Sequence, residues 1–275
     1  MKSYLLDDFD YERVIDFYDE VALWSAPFGL QLLDKVIYKP NINALDIGCG
    51  LGFPLVELAM RLGEGSMVYG IDPWKEAAEK LRRRAEHYKI TNIKLIEGFA
   101  ESIPLGNESI DLIVSNNGLN NVQDLAKVLA ECSRILKPGG QFIATMNTDK
   151  SMLEFYKPLQ KILFDMELYE EIKLMKKHIY EKRKPLEEIE SLYKNAGLTI
   201  NNISHEIFCY KFATGKALFS HYFIRLAFLS EWKKFLPVEK LDYIFDTIEN
   251  QLNEEAKQSN GVKLSVPFVV IEGGK

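Results

Sequence analysis

The sequence predicts an α/β protein: a doubly wound, mostly parallel sheet of seven strands with helices on both faces and a helical cap. Three observations predict it. An apolar run, Ala44-Leu45-Asp46-Ile47, feeds a glycine-rich turn, Gly48-Cys49-Gly50-Leu51-Gly52, and a helical pattern begins at once in residues 53–59. The same strand-then-helix rhythm repeats to residue 147, which places successive strands parallel and their helices on the sheet faces. Beyond Asn147 the rhythm changes to long helical stretches, and two further strand patterns follow at residues 198–210 and 263–272.

Each element has its own signal. Tyr11, Val14, Ile15, Tyr18 and Val21 recur at three- and four-residue steps, so residues 10–36 read as helix. Residues 23–29, with Pro27 and Gly29, are expected to interrupt it. This segment has two readings: an amphipathic helix packed on the domain, or a lid presenting Tyr18, Trp24 and Phe28. Strand one ends at Ile47, and the helix after the turn stops near Gly63 or Gly65. Residues 66–71 form strand two and deliver Asp72, with Asp72-Pro73 expected to open the next helix as cap and first residue. That helix, residues 74–88, carries Arg82-Arg83-Arg84, read as a solvated face. Strands three and four follow at residues 93–98 and 109–114. Strand four runs into Ser115-Asn116-Asn117-Gly118-Leu119-Asn120-Asn121, whose four amides just past a strand end suit a ligand-facing loop. Asp124 caps a helix to Leu136, residues 137–140 turn, and residues 141–146 make strand five. A helical region at 151–182 is expected to break at Pro158, and Pro185 starts a helix that stops at Asn195-Ala196-Gly197. Residues 216–232 are apolar, but His221, Arg225 and Glu231 speak against a membrane span and for a cap helix. A further helix at 238–256 precedes the last strand.

Composition narrows the function classes. A net charge of −6 without a basic stripe argues against a nucleic-acid surface. The first residues lack the apolar core of a signal peptide, and Cys49, Cys132 and Cys209 are odd in number and widely spaced. These features point to free thiols in a reducing, cytoplasmic setting. His87, His178, His205 and His221 show no metal-ligand spacing, so no metal is expected. Asp46 is the singular residue: a carboxylate inside an apolar run is costly unless something polar or cationic meets it. Asp72, about 20 residues past a glycine turn at the end of strand two, suits ribose hydroxyls.

Five pieces in order resemble the class I S-adenosylmethionine-dependent methyltransferases, and most closely the small-molecule branch of ubiquinone and menaquinone C-methyltransferases. They are Leu45-Asp46-Ile47-Gly48-Cys49-Gly50-Leu51-Gly52, Gly70-Ile71-Asp72, Gly98-Phe99-Ala100-Glu101-Ser102-Ile103-Pro104-Leu105, Ile110-Asp111-Leu112-Ile113-Val114-Ser115-Asn116 and Arg134-Ile135-Leu136-Lys137-Pro138-Gly139-Gly140. The resemblance covers about residues 44–145. It implies a Rossmann-like fold with an antiparallel last strand in one domain spanning 1–275. Residues 1–43 would be a helical lid, 44–147 the cofactor-binding core, 148–196 and 215–258 cap insertions, and 197–212 and 263–272 the final strands. It also implies S-adenosyl-L-methionine as cofactor and S-adenosyl-L-homocysteine as product. Asp46, with the backbone of Gly48 and Gly50, would face the methionine part, while Cys49 and Gly52 would complete the turn. Asp72 would hold the ribose, followed by Pro73 and Trp74. Trp74 and Phe99 would pack on the adenine, Ala100 would offer its N–H, and Asn116 and Asn117 would lie beside the methionine and the sulfonium. The family usually has an acid directly before that alanine; here Phe99 stands there, and Glu101 or a backbone carbonyl would take the adenine amine.

The implied reaction is in-line methyl transfer to a small, partly apolar acceptor, with Tyr18, Trp24, Asn120, Asn121, Phe219 and Tyr222 as candidate acceptor contacts. A general base is needed only if the acceptor loses a proton. His205, Tyr210, His221 and Tyr222 are the candidates from outside the common core, with His221 and Tyr222 foremost; a lone His or Tyr on an apolar helix is more often packed core or a satisfied hydrogen-bond donor. Two rival readings are a non-catalytic binder of the same cofactor and a nicotinamide-dependent oxidoreductase. The spacing of Gly48, Gly50 and Gly52 departs from the dinucleotide fingerprint. The residues leave the oligomeric state open.

Overall fold

A computed structural model describes residues 22–275, in two compact units. Tyr18 and the rest of residues 1–21 lie outside the described residues. The first unit, residues 22–148, 184–206 and 268–275, holds the sheet. Its strands are β1 Asn43–Ile47, β2 Met67–Asp72, β3 Ile93–Glu97, β4 Ile110–Asn116, β5 Leu136–Asn147, β6 Thr199–Phe212 and β7 Val262–Gly274. Both β6 and β7 also run into the second unit. The spatial order is β3-β2-β1-β4-β5-β7-β6. β1 pairs in parallel with β2 and β4, β2 with β3, and β4 with β5. β7 runs antiparallel to β5, from Gln141 opposite Gly274 to Asn147 opposite Phe268. The chain therefore reverses direction beyond β1, between β1 and β4, and this crevice is where an open α/β sheet binds ligands.

The helices of this unit are α1 Ala22–Asp34, α2 Leu55–Leu62, α3 Lys75–His87, α4 Leu125–Ile135 and, after the second unit's first two helices, α7 Leu186–Asn195. One side of the sheet is closed by β-strand residues packed with α4 and α7, from Leu45 and Ile113 to Leu129, Cys132, Ile189 and Tyr193. Thus α7, expected in the cap, serves the sheet core, where Tyr193 stacks on Phe142 at 5.4 Å.

Several expected boundaries move. α1 runs unbroken through residues 23–29, because a proline removes only one helical hydrogen bond while Phe28, Leu32 and Leu33 are buried; the Phe28 ring lies 4.6 Å from that of Phe268. α3 begins at Lys75, two residues beyond the expected Pro73, because Trp74 keeps an extended backbone while its amide donates to Asp72. Residues 137–140 are carried inside β5 as a bulge: Ile110 opposes Leu136 and Leu112 opposes Gln141, with Gly139 at φ +76°. Asp124 caps α4 as expected, its Oδ1 accepting the Lys127 amide at 3.0 Å.

The second unit, residues 149–183 and 207–267, is mainly helical. It contains α5 Leu153–Asp165, α6 Tyr169–Lys182, α8 Gly215–Ser220, α9 Tyr222–Ile224, a π-helical turn Arg225–Leu229, α10 Ser230–Lys234 and α11 Leu241–Ser259. The break expected at Pro158 falls instead at residues 166–168. There Glu167 takes φ +59°, and the Glu167 and Leu168 amides close onto the Phe164 and Leu163 carbonyls. Pro158 is buried against the unit's core and stays helical. That core is aromatic: Phe155 and Trp232 stack at 3.8 Å, and the Trp232 Nε1–H donates to the Tyr156 hydroxyl at 3.0 Å. Among the described residues no helix is long and apolar enough to cross a membrane.

Candidate ligand site at the carboxyl ends of the strands

The sheet unit opens a cavity of about 410 Å³ at the carboxyl ends of β1, β2 and β4. Its floor is the turn after β1. The Gly48 and Cys49 amides donate to the Ile71 carbonyl, at 2.9 and 3.3 Å, and the Gly52 amide to Cys49 at 2.8 Å. The Gly50 amide donates to Asp72 Oδ2 at 2.9 Å, while Asp72 Oδ1 accepts the Trp74 amide at 2.9 Å. Two of these glycines are required for different reasons. At Gly48, with φ +74°, a Cβ would sit 2.8 Å from the Gly118 Cα, so the β1 and β4 turns can touch only as bare backbone. At Gly50, with φ +46°, a Cβ would meet nothing within 4 Å: that face of the turn is open.

Asp46 is fully buried in β1, and neither carboxylate oxygen has a hydrogen-bond partner among the described residues. Burial, then the nearby Asp72 charge, push its pKa up to about 8, with the Leu55 amide pulling slightly the other way. Burial raises Asp72 as well, which the Trp74 and Gly50 amides partly hold down. Burial and the two carboxylates push the Cys49 thiol well above its ordinary value. Cys49 is therefore a neutral, buried side chain against Gly70, and no nucleophile.

The walls are Pro73, Trp74, Phe99, Ala100 and Glu101 on one side, and Trp24, Asn116, Asn117 and Asn121 on the other. Phe99 is 57% exposed, a large ring left bare at the rim. The Glu101 carboxylate accepts the Gln123 and Asp124 amides through Oε1, at 2.8 and 3.2 Å, and so anchors the loop leading into α4. Asn116 bridges α1 and β5, donating to the Ser25 carbonyl at 3.1 Å and accepting from Thr145 Oγ1 at 3.0 Å. Asn117 is buried in a left-handed backbone conformation, and both polar atoms of its side chain lack a partner among the described residues.

Not every expected contact gathers here. Asn120 is used as a clamp, exchanging hydrogen bonds with the Asn147 backbone at 3.0 and 3.3 Å, and does not line the cavity. Phe219 is fully buried within the helical unit, its ring 5.2 Å from Phe245 and 6.1 Å from Phe155. A phenyl ring so enclosed is committed to that core. His221 and Tyr222 are exposed residues of the helical unit, and burial holds the His221 imidazole below its ordinary pKa. Sequence reasoning missed Phe53 and Arg84, which also line the cavity. Arg84 leaves the expected solvated face to donate to the Leu51 carbonyl at 3.1 Å, and only its distance from the turn in the chain hid this. Phe53 fits because Gly29 of α1 leaves room: a Cβ there would fall 2.2 Å from the Phe53 ring.

Residues 45–144 match the family model described as a methyltransferase domain. The chain is 34% identical over 131 residues to an uncharacterised 37.1 kDa protein in transposon TN4556 of Streptomyces fradiae, covering 47% of this chain and 37% of that protein. It is 32% identical over 117 residues to a demethylmenaquinone methyltransferase of Bacillus mycoides, covering 42% of this chain and 49% of that enzyme. The chain thus spans half or less of the length of these two relatives. The YcgJ protein of Bacillus subtilis shares the fold, with a TM-score of 0.61 at 17% identity over 91% of this chain and 98% of that one.

Proposed function

We propose that this chain, whose core is a methyltransferase domain of the class I type, is an S-adenosylmethionine-dependent methyltransferase acting on a small, partly apolar molecule. The observation that carries the reading is Asp46: a carboxylate fully buried beside the turn, with no cation and no hydrogen bond of normal geometry among the described residues, calls for a cationic group on the ligand. The residues present fit that cofactor. Asp46 would balance the cationic amino-acid part, and Asp72, held in place by the Gly50 and Trp74 amides, would take the ribose hydroxyls. Phe99 and Trp74 would cover the base, with Ala100 offering its N–H. Both loop amides go to Glu101 Oε1, so Glu101 Oε2, on the cavity wall, would still be open to the amine of the base, beside the backbone carbonyls. Asn117, with its carboxamide unsatisfied, would reach ligand atoms directly.

When bound, S-adenosylmethionine supplies a methyl group activated on a positively charged sulfur. The chain's part is to hold and to exclude water. Bare backbone at Gly50 admits the ligand closely, and the aromatic rims of Trp24, Phe53, Trp74 and Phe99 shield it. The order of the last two strands, with β7 antiparallel to β5, also departs from the all-parallel dinucleotide sheet. The relative from B. mycoides acts, by its name, on demethylmenaquinone, and supports an apolar ring compound as acceptor.

Calorimetric titration of the full chain tests this reading. S-adenosylhomocysteine is expected to bind and NAD to give no heat. Asp72→Ala is expected to weaken S-adenosylhomocysteine by about tenfold or more, the worth of a charge-assisted hydrogen bond. Turnover of methyl-labelled cofactor with demethylmenaquinone and smaller ring acceptors then separates an enzyme from a cofactor-binding protein. Binding of NAD in place of the homocysteine nucleoside would overturn the reading.

A further inference from the structure

The helical unit buries a cation that the proposed reaction does not use. Arg183, at the carboxyl end of α6, is 4% exposed. Its backbone amide closes the helix onto the Ile179 carbonyl at 2.8 Å. Among the described residues its guanidinium makes soft contacts: Nη2 lies 4.0 Å from the Met152 sulfur, and the charge sits 5.9 Å from the centre of the Tyr156 ring. Nη1 is buried and has no acceptor among the described residues, and no carboxylate there forms an ion pair with this arginine. The two carboxylates whose charge reaches the neighbouring His178 have their own cations: Glu231 pairs with Lys234 at 2.5 Å, and Glu181 with Lys177 at 3.7 Å.

The field of Arg183 is felt next door. His178, one turn earlier, lies below its ordinary pKa, through burial first and the Arg183 charge second. The imidazole is thus neutral at pH 7 and adds no further charge. What remains is one desolvated, positive, planar fork with aromatic and thioether neighbours. A contact with a ring face returns far less than the burial of an unpaired charge costs. The fork geometry is that of carboxylate and phosphate recognition.

We propose that Arg183 anchors an oxyanion site in the helical unit, which takes the carboxylate or phosphate of a small molecule whose body is apolar. Tyr156 and Met152 would pack on the body next to the anionic group, while Nη1 would donate to one of its oxygens.

Thermal unfolding of the full chain tests this with named probes, at constant ionic strength held by chloride. Sodium benzoate, sodium acetate and inorganic phosphate are titrated against the wild-type chain, Arg183→Met and Arg183→Lys. A saturable rise in Tm is expected with benzoate above acetate if the group is a carboxylate on an apolar body, or with phosphate if it is a phosphoryl group. In Arg183→Met the probe's apparent affinity is expected to fall at least about tenfold, while the Tm without probe rises, because an uncompensated charge has been removed. Arg183→Lys, which keeps the charge but not the fork, is expected to respond several-fold more weakly than wild type. Stabilisation of all three by S-adenosylhomocysteine is the control, so loss of that response speaks against the methyltransferase reading and not against this site. A wild-type Tm left unchanged by all three probes, or a lower Tm in Arg183→Met with an unchanged probe response, would overturn the proposal.

Discussion

Replacing Asp46 by Asn should make the free protein more stable at neutral pH and less able to hold its ligand. In the unfolded chain this carboxyl titrates at 3.8; in the fold burial raises it to about 8. Its folded pKa lies above its unfolded one, so the folded state binds the proton more tightly. Below about pH 4 the group is protonated in both states and costs nothing. As pH rises, the fold must keep a proton the unfolded chain has lost, at roughly 1.4 kcal/mol per pH unit. The penalty reaches about 4 kcal/mol at pH 7 and levels off above the folded pKa. Asparagine removes this term and leaves an unsatisfied amide, itself worth about 1–3 kcal/mol. The net gain at pH 7 should be about 1–3 kcal/mol, and at pH 4 the order of the two proteins should reverse. Urea unfolding from pH 4 to pH 8 measures it, and calorimetry with S-adenosylhomocysteine gives the other half. Wild-type affinity for this ligand, whose ammonium group would face the carboxylate, should rise by up to about tenfold per pH unit from pH 6 to 8, as the carboxyl ionises, and that of the variant should be flat. If Asp46→Asn is the less stable protein at pH 8 as well as at pH 4, Asp46 is compensated within the fold and the argument for a cationic ligand fails.

Two further substitutions test the frame around the site. Gly48→Ala must push the Gly118 backbone aside from a Cβ 2.8 Å away and hold alanine at φ +74°, so it should cost about 2–5 kcal/mol in urea unfolding. Gly50→Ala has open space and should cost only about 1–2 kcal/mol, yet lower ligand affinity by filling the face of the turn. Equal losses in the two would show that the Gly48–Gly118 contact is not what demands the glycine. In the helical unit, Trp232→Ala removes a fully buried ring stacked at 3.8 Å on Phe155 and leaves the Tyr156 hydroxyl without its donor. It should destabilise that unit by about 3–5 kcal/mol in thermal unfolding, and a change below about 1 kcal/mol would contradict the packing described.

How much was legible beforehand differs by kind of signal. The strand, glycine turn and helix around Asp46, the acid at the end of β2 and the cap at Asp124 are local patterns, and each was readable because its cause lies within a few residues. Local patterning placed all seven strands: the central ones, buried on both faces, write themselves as apolar runs, and the half-exposed β6 as an alternation. What failed needed partners distant in the chain. Proline marks a break only when nothing outweighs one lost hydrogen bond, and at Pro27 and Pro158 buried side chains from elsewhere outweigh it. The amides of the β4 loop could be listed but not sorted. Asn120 became a clamp because Asn147 lies opposite it, whereas Asn117 is left unsatisfied at the cavity, and only the packed sheet decides between those fates. Phe219 has the composition of a pocket wall, yet its neighbours Phe155 and Phe245, about 64 residues before it and 26 after, enclose it in a core. The sequence by itself thus determined which backbone would bend and where a charge would be trapped, because those follow from local sterics and from the apolar run that carries Asp46. Only the tertiary structure decided which polar groups remain unpaired, because satisfaction of a hydrogen bond depends on what arrives from far along the chain.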